Sequence, residues 1–250
     1  MSAVPRSNAT SPVGMTRLLP SLCFLRFPVG HVYLWLDDDG LTLVDCGVAG
    51  SGARIAAGIR SLGRDPADVR QLVLTHFHHD HVGAANEIAA WGDITICAHR
   101  EDAPVIRGEV PGAPPVLLDW ERPIFAQVTA ATGGTIGSAA PVRVDRELDD
   151  GDTLDLGGQY AQAVAVPGHT PGSVALHLPD HGVLFTGDTV ARAPDGQVIL
   201  GAFNIDHATA LDSLRRQADL NPEIACFGHG DPVTADAGTA LRHALARHLH

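Results

Sequence analysis

Short apolar runs of alternating character punctuate the chain. Residues 22–27, 32–36 and 41–44 read as strands, and Asp37-Asp38-Asp39-Gly40 between the last two is the acidic, glycine-ended turn of a hairpin. Ser51 then opens an alanine-rich stretch in which Ile55 and Ile59 recur at i, i+4, which predicts an N-capped helix to Leu62, stopped by Gly63. Residues 71–74 form the next apolar strand, 82–91 the next helix and 95–98 a further strand. This alternation points to an α/β layered domain.

From 104 to 141 the pattern breaks. Pro and Gly recur among Val116, Leu117, Leu118, Trp120, Ile124 and Phe125 without a sustained period, as in a lid or binding insertion or a loop packed on the core. Strands resume at 153–156, 160–166, 173–178 and 183–185; helices follow at 207–220 and 237–248, with a strand at 224–227 between them. The organisation expected is a disordered leader over 1–16, rich in Ser, Pro and Ala and lacking an apolar signal-peptide core, then one domain over 17–250 carrying the insertion. Pro20, Arg26, Pro28, Gly30 and His31 interrupt the longest apolar stretch, which argues against a membrane span.

Composition narrows the function classes. A 250-residue chain with 45% hydrophobic content can bury a full core. The net charge of -12, from 29 acidic and 17 basic residues with the latter scattered, argues against nucleic acid and membrane surfaces as partners and leaves a small-molecule substrate. Every basic residue among the 17 is Arg, so lysine Schiff-base chemistry and a Walker-type phosphate loop are excluded. Cys23, Cys46, Cys97 and Cys226 lie far apart in or beside apolar runs, as buried reduced thiols of a cytoplasmic protein do. Oligomeric state is not legible.

Chemistry concentrates after the strand at 71–74, in Thr75-His76-Phe77-His78-His79-Asp80-His81. In an extended loop i and i+2 share a side, so His76 and His78 can grip one ion, while Asp80 and His81 turn toward a neighbouring one. Imidazole with carboxylate is a borderline donor set that suits Zn²⁺ first and Fe or Mn second. Three later positions each follow an apolar strand beside glycine: His169 in Pro167-Gly168-His169-Thr170-Pro171-Gly172, Asp188 in Thr186-Gly187-Asp188-Thr189, and His229 in Gly228-His229-Gly230.

Together with Asp45 in Leu43-Val44-Asp45-Cys46-Gly47, these motifs are similar to those of the metallo-β-lactamase superfamily over residues 20 to 235. The resemblance implies an αββα sandwich, two mixed sheets face to face with helices outside. It implies two divalent metal ions, the first held by His76, His78 and His169, the second by Asp80, His81 and His229, with Asp188 bridging and Asp45 orienting the histidine loop by hydrogen bonds. His79 matches a variable position and is expected to face solvent or support a ligand. His31, His99, His177, His181, His207, His243, His248 and His250 match no motif.

Two metals about 3.5 to 4 Å apart can share a hydroxide, which would attack the carbonyl of an ester, lactone or thioester, with Asp80 and Asp188 as the catalytic carboxylates. Within the resemblance, Asp188 and His229 point away from typical β-lactamases. The absence of a Tyr near Asp188, where Ala191 and Arg192 stand, points away from the usual acyl-homoserine lactonases. The short chain after His229 points away from a glutathione-binding region, and His78 away from flavodiiron proteins. A β-lactam hydrolase, a non-haem iron oxidoreductase of the same fold and a non-catalytic metal-binding sensor stand as alternatives. Trp120, Phe125 and Arg192 are the candidate substrate contacts.

Overall fold

The computed structural model describes residues 14–131 and 139–248. Seven strands pair in sequence order into one mixed sheet: β1 (Met15–Leu19), β2 (Leu22–Leu25), β3 (Val32–Leu36), β4 (Leu41–Val44), β5 (Val69–Leu74), β6 (Thr95–His99) and β7 (Arg146–Leu148). The first four run antiparallel; β4 to β7 are parallel, with α1 (Gly52–Ser61), the short helices α2 (His79–Val82) and α3 (Ala85–Ala89), and then α4 (Ala103–Ile106) and α5 (Glu121–Ala131) in the connections. The second sheet has the order β14–β11–β10–β9–β8, from β8 (Thr153–Asp155), β9 (Tyr160–Ala165), β10 (Val174–Leu178), β11 (Val183–Phe185) and β14 (Ile224–Cys226). A small hairpin, β12 (Val190–Arg192) with β13 (Val198–Leu200), and the helices α6 (His207–Asp219) and α7 (Ala237–Ala246) complete it.

Strand alternation explains why the layers stack as they do. Along β3, Val32 and Leu34 point into one core with Ile55, Ile59 and Ile88 of α1 and α3, while Tyr33 and Trp35 point into a second core with Leu176, Val183 and Phe185 of the other sheet. In that other sheet, Ala175 and Leu184 turn to a third core with Leu214 of α6 and Leu241 of α7. Three cores separate four layers, an αββα sandwich as the motif resemblance implied. Because both faces of each sheet are covered, β2 and β4 are buried at every position, which is why they read as continuous apolar runs.

Several expectations need correction. Met15 and Thr16 belong to β1 rather than to a leader, and residues 1–13 of the expected leader lie outside the described part. The helix expected over 82–91 is interrupted at Gly83 and Ala84: Gly83, packed against the Val48–Ala49 backbone, keeps helical dihedrals, and the chain leaves the helical region at Ala84, φ -94° and ψ 9°. The segment 104–141 is not structureless: α5 lies within it, and α4 runs into its start. The hairpin β12–β13 was not foreseen, although Pro194-Asp195-Gly196 marks its turn. The four cysteines are free and buried as expected. No helix among the described residues is long and apolar enough to cross a membrane.

Candidate metal centre

Parallel pairing places the ligand loops at one edge. The chain leaves the C-terminal ends of β4, β5 and β6 toward Asp45, His76 and Asp102, and leaves β11 and β14 toward Asp188 and His229. The two sheets are joined at this edge by the Val174 amide, which donates to the Thr75 carbonyl at 2.9 Å. Every ligand candidate named from the sequence comes together here, and their donor atoms form three overlapping clusters: His76, His78 and His169; His76, His81 and Asp188; Asp80, His81 and His229.

Asp188 Oδ2 lies at the centre. It is 3.0 Å from His229 Nε2, 3.3 Å from His81 Nε2, 3.8 Å from His169 Nε2 and 3.9 Å from His76 Nε2. Asp80 Oδ2 lies 3.1 Å from His229 Nε2 and 3.7 Å from His81 Nε2 on the same side, while His169 Nε2 and His78 Nδ1 approach to 2.9 Å on the other. His76 Nε2, His81 Nε2 and Asp188 Oδ1 are buried without a hydrogen-bond partner among the described residues. Such orphaned buried donors and acceptors are costly, and their convergence fits divalent metal ions held by nitrogen and oxygen donors.

The electrostatics divide the centre in two. Burial, reinforced by the His81 and His78 imidazoles, holds His76 well below the usual histidine range, and burial with His169 beside it pushes His78 down to about 3. These are neutral imidazoles, the ligating form. On the other side burial opposes charge, yet the Asp188 and Asp80 carboxylates overcome it, raising His81 well above the usual range and His229 to about 10. That anionic field favours a cation.

Supporting contacts fix these side chains. Asp45, in the left-handed region at φ 58°, accepts from the Thr75 amide, from the Thr75 hydroxyl and from His81 Nδ1, each at 2.8 Å, so His81 Nε2 faces the centre. Asp102 plays the corresponding part for the other loops and was missed in the sequence. Fully buried, it accepts from the Phe77 amide at 3.0 Å, the Thr170 hydroxyl at 2.7 Å and the Gly172 amide at 2.7 Å, clasping the His76–His78 loop to the His169 loop. Burial raises its carboxyl to about 6. Its one sequence signal is a position just beyond a strand end of the same parallel series as Asp45 and His76. Gly228 lies so close that a Cβ there would overlap Asp188 Oδ1 and His81 Cε1.

A cavity of about 940 Å³ opens over the centre, reaching His78, Asp80, His169, Asp188 and His229. Phe125 lines it, stacked edge to face on Phe203 with ring centroids 5.2 Å apart. Trp120 is more than half exposed and is not among the lining residues. Arg192 does not line it either: its guanidinium donates to the Gly196 and Pro232 carbonyls, at 3.0 and 3.4 Å. His79 is half-buried on the cavity wall, its Nδ1 3.8 Å from Asp80 Oδ1. His31, which carries no motif, is buried behind His229, its amide donating to the Gly228 carbonyl at 2.9 Å. The insertion is fastened above the cavity by buried Glu121, which accepts from the amides of Leu118 and Phe203, each at 2.8 Å.

A buried His/Asp cluster at the loop edge of an αββα sandwich, open to a cavity, defines a candidate metal centre beside a binding site. The chain belongs to the metallo-β-lactamase superfamily, whose family model matches residues 25–229. It is 27% identical over 234 residues to the probable metallo-hydrolase YflN of Bacillus subtilis, covering 88% of this chain and 84% of that protein. It is 29% identical over 161 residues to a hydroxyacylglutathione hydrolase of Cereibacter sphaeroides, covering 64% of this chain but 48% of that one, about half its length. Among solved structures, BJP-1, a subclass B3 metallo-β-lactamase of Bradyrhizobium japonicum, superimposes with a TM-score of 0.69 at 21% identity, covering 98% of this chain and 94% of that one, which shows a shared fold.

Proposed function

We propose that the chain is a dinuclear metal hydrolase that cleaves a carboxylic ester, lactone or thioester. His76, His78 and His169 would hold one divalent ion and Asp80, His81 and His229 the other, zinc being the metal the donor set favours, with Asp188 shared between them. The observation that carries this reading is the position of Asp188 Oδ2, within 3.0 to 3.9 Å of four imidazole nitrogens from both ligand groups. When bound, such a pair of ions lowers the pKa of water toward about 7 and polarises a carbonyl.

The protein's own groups do the rest. Asp45 and Asp102 hold the ligand loops in register, so little reorganisation accompanies reaction. Asp80, with Oδ2 3.1 Å from His229 Nε2 and Oδ1 3.8 Å from His79 Nδ1, would take the proton from attacking water and return it to the leaving group. The new bond joins water oxygen to the acyl carbon, the bond to the leaving oxygen or sulfur breaks, and the leaving group departs protonated. All seven ligand positions are occupied by ligand-type side chains, and a substrate-sized cavity adjoins them, which favours catalysis over metal sensing.

The test is a panel of lactones, aryl esters, thioesters and β-lactams given to the protein before and after metal stripping and zinc restoration. Zinc-restored turnover of the carbonyl esters supports the proposal. Undiminished turnover in stripped protein, or none of these substrates cleaved by zinc-replete protein, would remove it.

A further inference from the structure

We infer that this site selects uncharged substrates with a long hydrocarbon portion and rejects those that carry an anion away from the scissile carbonyl. The inference rests on the proposed hydrolysis and names the substrate class within it.

Much of the cavity lining is hydrocarbon. Phe77, Val105, Ile106, Val110, Phe125 and Ile199 face the cavity, and Gly112 lies flat on the Phe77 ring, where a Cβ would approach Cε2 to 2.6 Å. All cationic side chains of the chain other than histidine are Arg, and no Arg is among the described residues that line the cavity. Those nearest in sequence are engaged elsewhere. Arg107 donates to Glu109 at 2.6 Å and to Glu147 at 2.7 Å, Arg143 to Asp145 at 2.9 Å, and Arg192 to backbone carbonyls. Apart from the candidate metal ligands, Glu109 is the one acidic or Arg side chain among the described lining residues, and Arg107 pairs with it.

An anionic substituent carried into this lining would shed its hydration and gain no ion pair or forked hydrogen bond in return. A neutral acyl chain gains by burial, and the cavity's 940 Å³ stands at the upper end of the range for small-molecule sites, room for a medium or long chain. Thioesters that carry the two carboxylates of glutathione far from the scissile carbonyl are therefore disfavoured on the same grounds.

The test uses the zinc-replete full chain and p-nitrophenyl esters of straight-chain acids, alongside analogues of equal length ending in a sulfonate, a permanent anion that ligates zinc poorly. The expected result is a kcat/KM that rises by roughly twofold or more per methylene and a loss of about tenfold or more on adding the sulfonate. Val110→Arg, at the exposed rim, should narrow the ratio between the two series by placing a guanidinium beside the anion. A second readout, displacement of the neutral apolar dye Nile red by uncleaved N-methyl amides of the same two series, separates the two ideas. Neutral amides displacing the dye well and sulfonated ones poorly, with no ester cleaved, would uphold the selectivity and overturn the hydrolase reading. Cleavage or displacement that ignores chain length, or that favours the sulfonates, would overturn the inference and leave the hydrolase standing.

Discussion

Asp102 accepts a 2.7 Å hydrogen bond from the Thr170 hydroxyl across 68 residues of sequence, joining the two loops that carry His76, His78 and His169. An Asn in its place keeps one acceptor oxygen, and its NH2 then faces either the Gly172 amide or the Phe77 amide and Thr170 hydroxyl, so at least one backbone amide loses its acceptor. Asp102→Asn is expected to cost about 1–3 kcal/mol in urea unfolding and to weaken metal binding by about 10–100-fold in chelator competition. Wild-type metal affinity in the folded variant would show the clasp to be dispensable.

Gly228 gives a purely steric counterpart. A methyl group there would press on Asp188 Oδ1 and the His81 ring, so Gly228→Ala is expected to lose bound metal and activity while far-ultraviolet circular dichroism is retained. Preserved activity would mean that the ligands have more freedom than their packing implies.

His31 sets an acid-side stability limit. Burial, then the His229 imidazole and the Arg26 guanidinium, push it down to about 4. A histidine depressed in the folded state binds fewer protons than in the unfolded chain. Its contribution is therefore present above the unfolded value near 6.5 and is lost as pH falls toward 4, up to about 3 kcal/mol. Its Nδ1 accepts from the Phe27 amide at 3.3 Å, a role an Asn oxygen can take. In urea titrations at pH 7 and 4.5, His31→Asn should lose less stability than the parent; equal losses would place the acid sensitivity elsewhere.

Phe125 and Trp120 were indistinguishable in the sequence, yet only Phe125 lines the cavity. Phe125→Ala is expected to raise KM for long-chain esters by about tenfold, consistent with roughly 25 cal/mol per Å² of lost burial, and Trp120→Ala by much less. Equal effects would extend the substrate site beyond the cavity walls.

What could be read in advance follows from where the information resides. The candidate ligands were legible because His76-Phe77-His78-His79-Asp80-His81 is locally dense and the later candidates sit beside glycines after apolar strands. The layers were legible because apolar runs such as 41–44 need cover on both faces. Asp102 was not, since its meaning arises only when β6 brings it against Phe77 and Gly172. The helix α5 was hidden by Pro123 in its first turn, a position helices tolerate but periodicity discounts. Arg192 was named for its nearness to Asp188 in sequence, but the β12–β13 hairpin sends its guanidinium to the far side.

The central claim is that Asp188 is shared by two bound metals. It is tested most directly by counting metal with inductively coupled plasma mass spectrometry on zinc-dialysed wild type and Asp188→Ala, each checked for folding. The account predicts about two ions per wild-type chain, as a dinuclear hydrolase requires, and a deficit in the variant together with loss of hydrolysis. A wild type that holds one ion or none while hydrolysing at full rate, or a variant that keeps both ions, would contradict it.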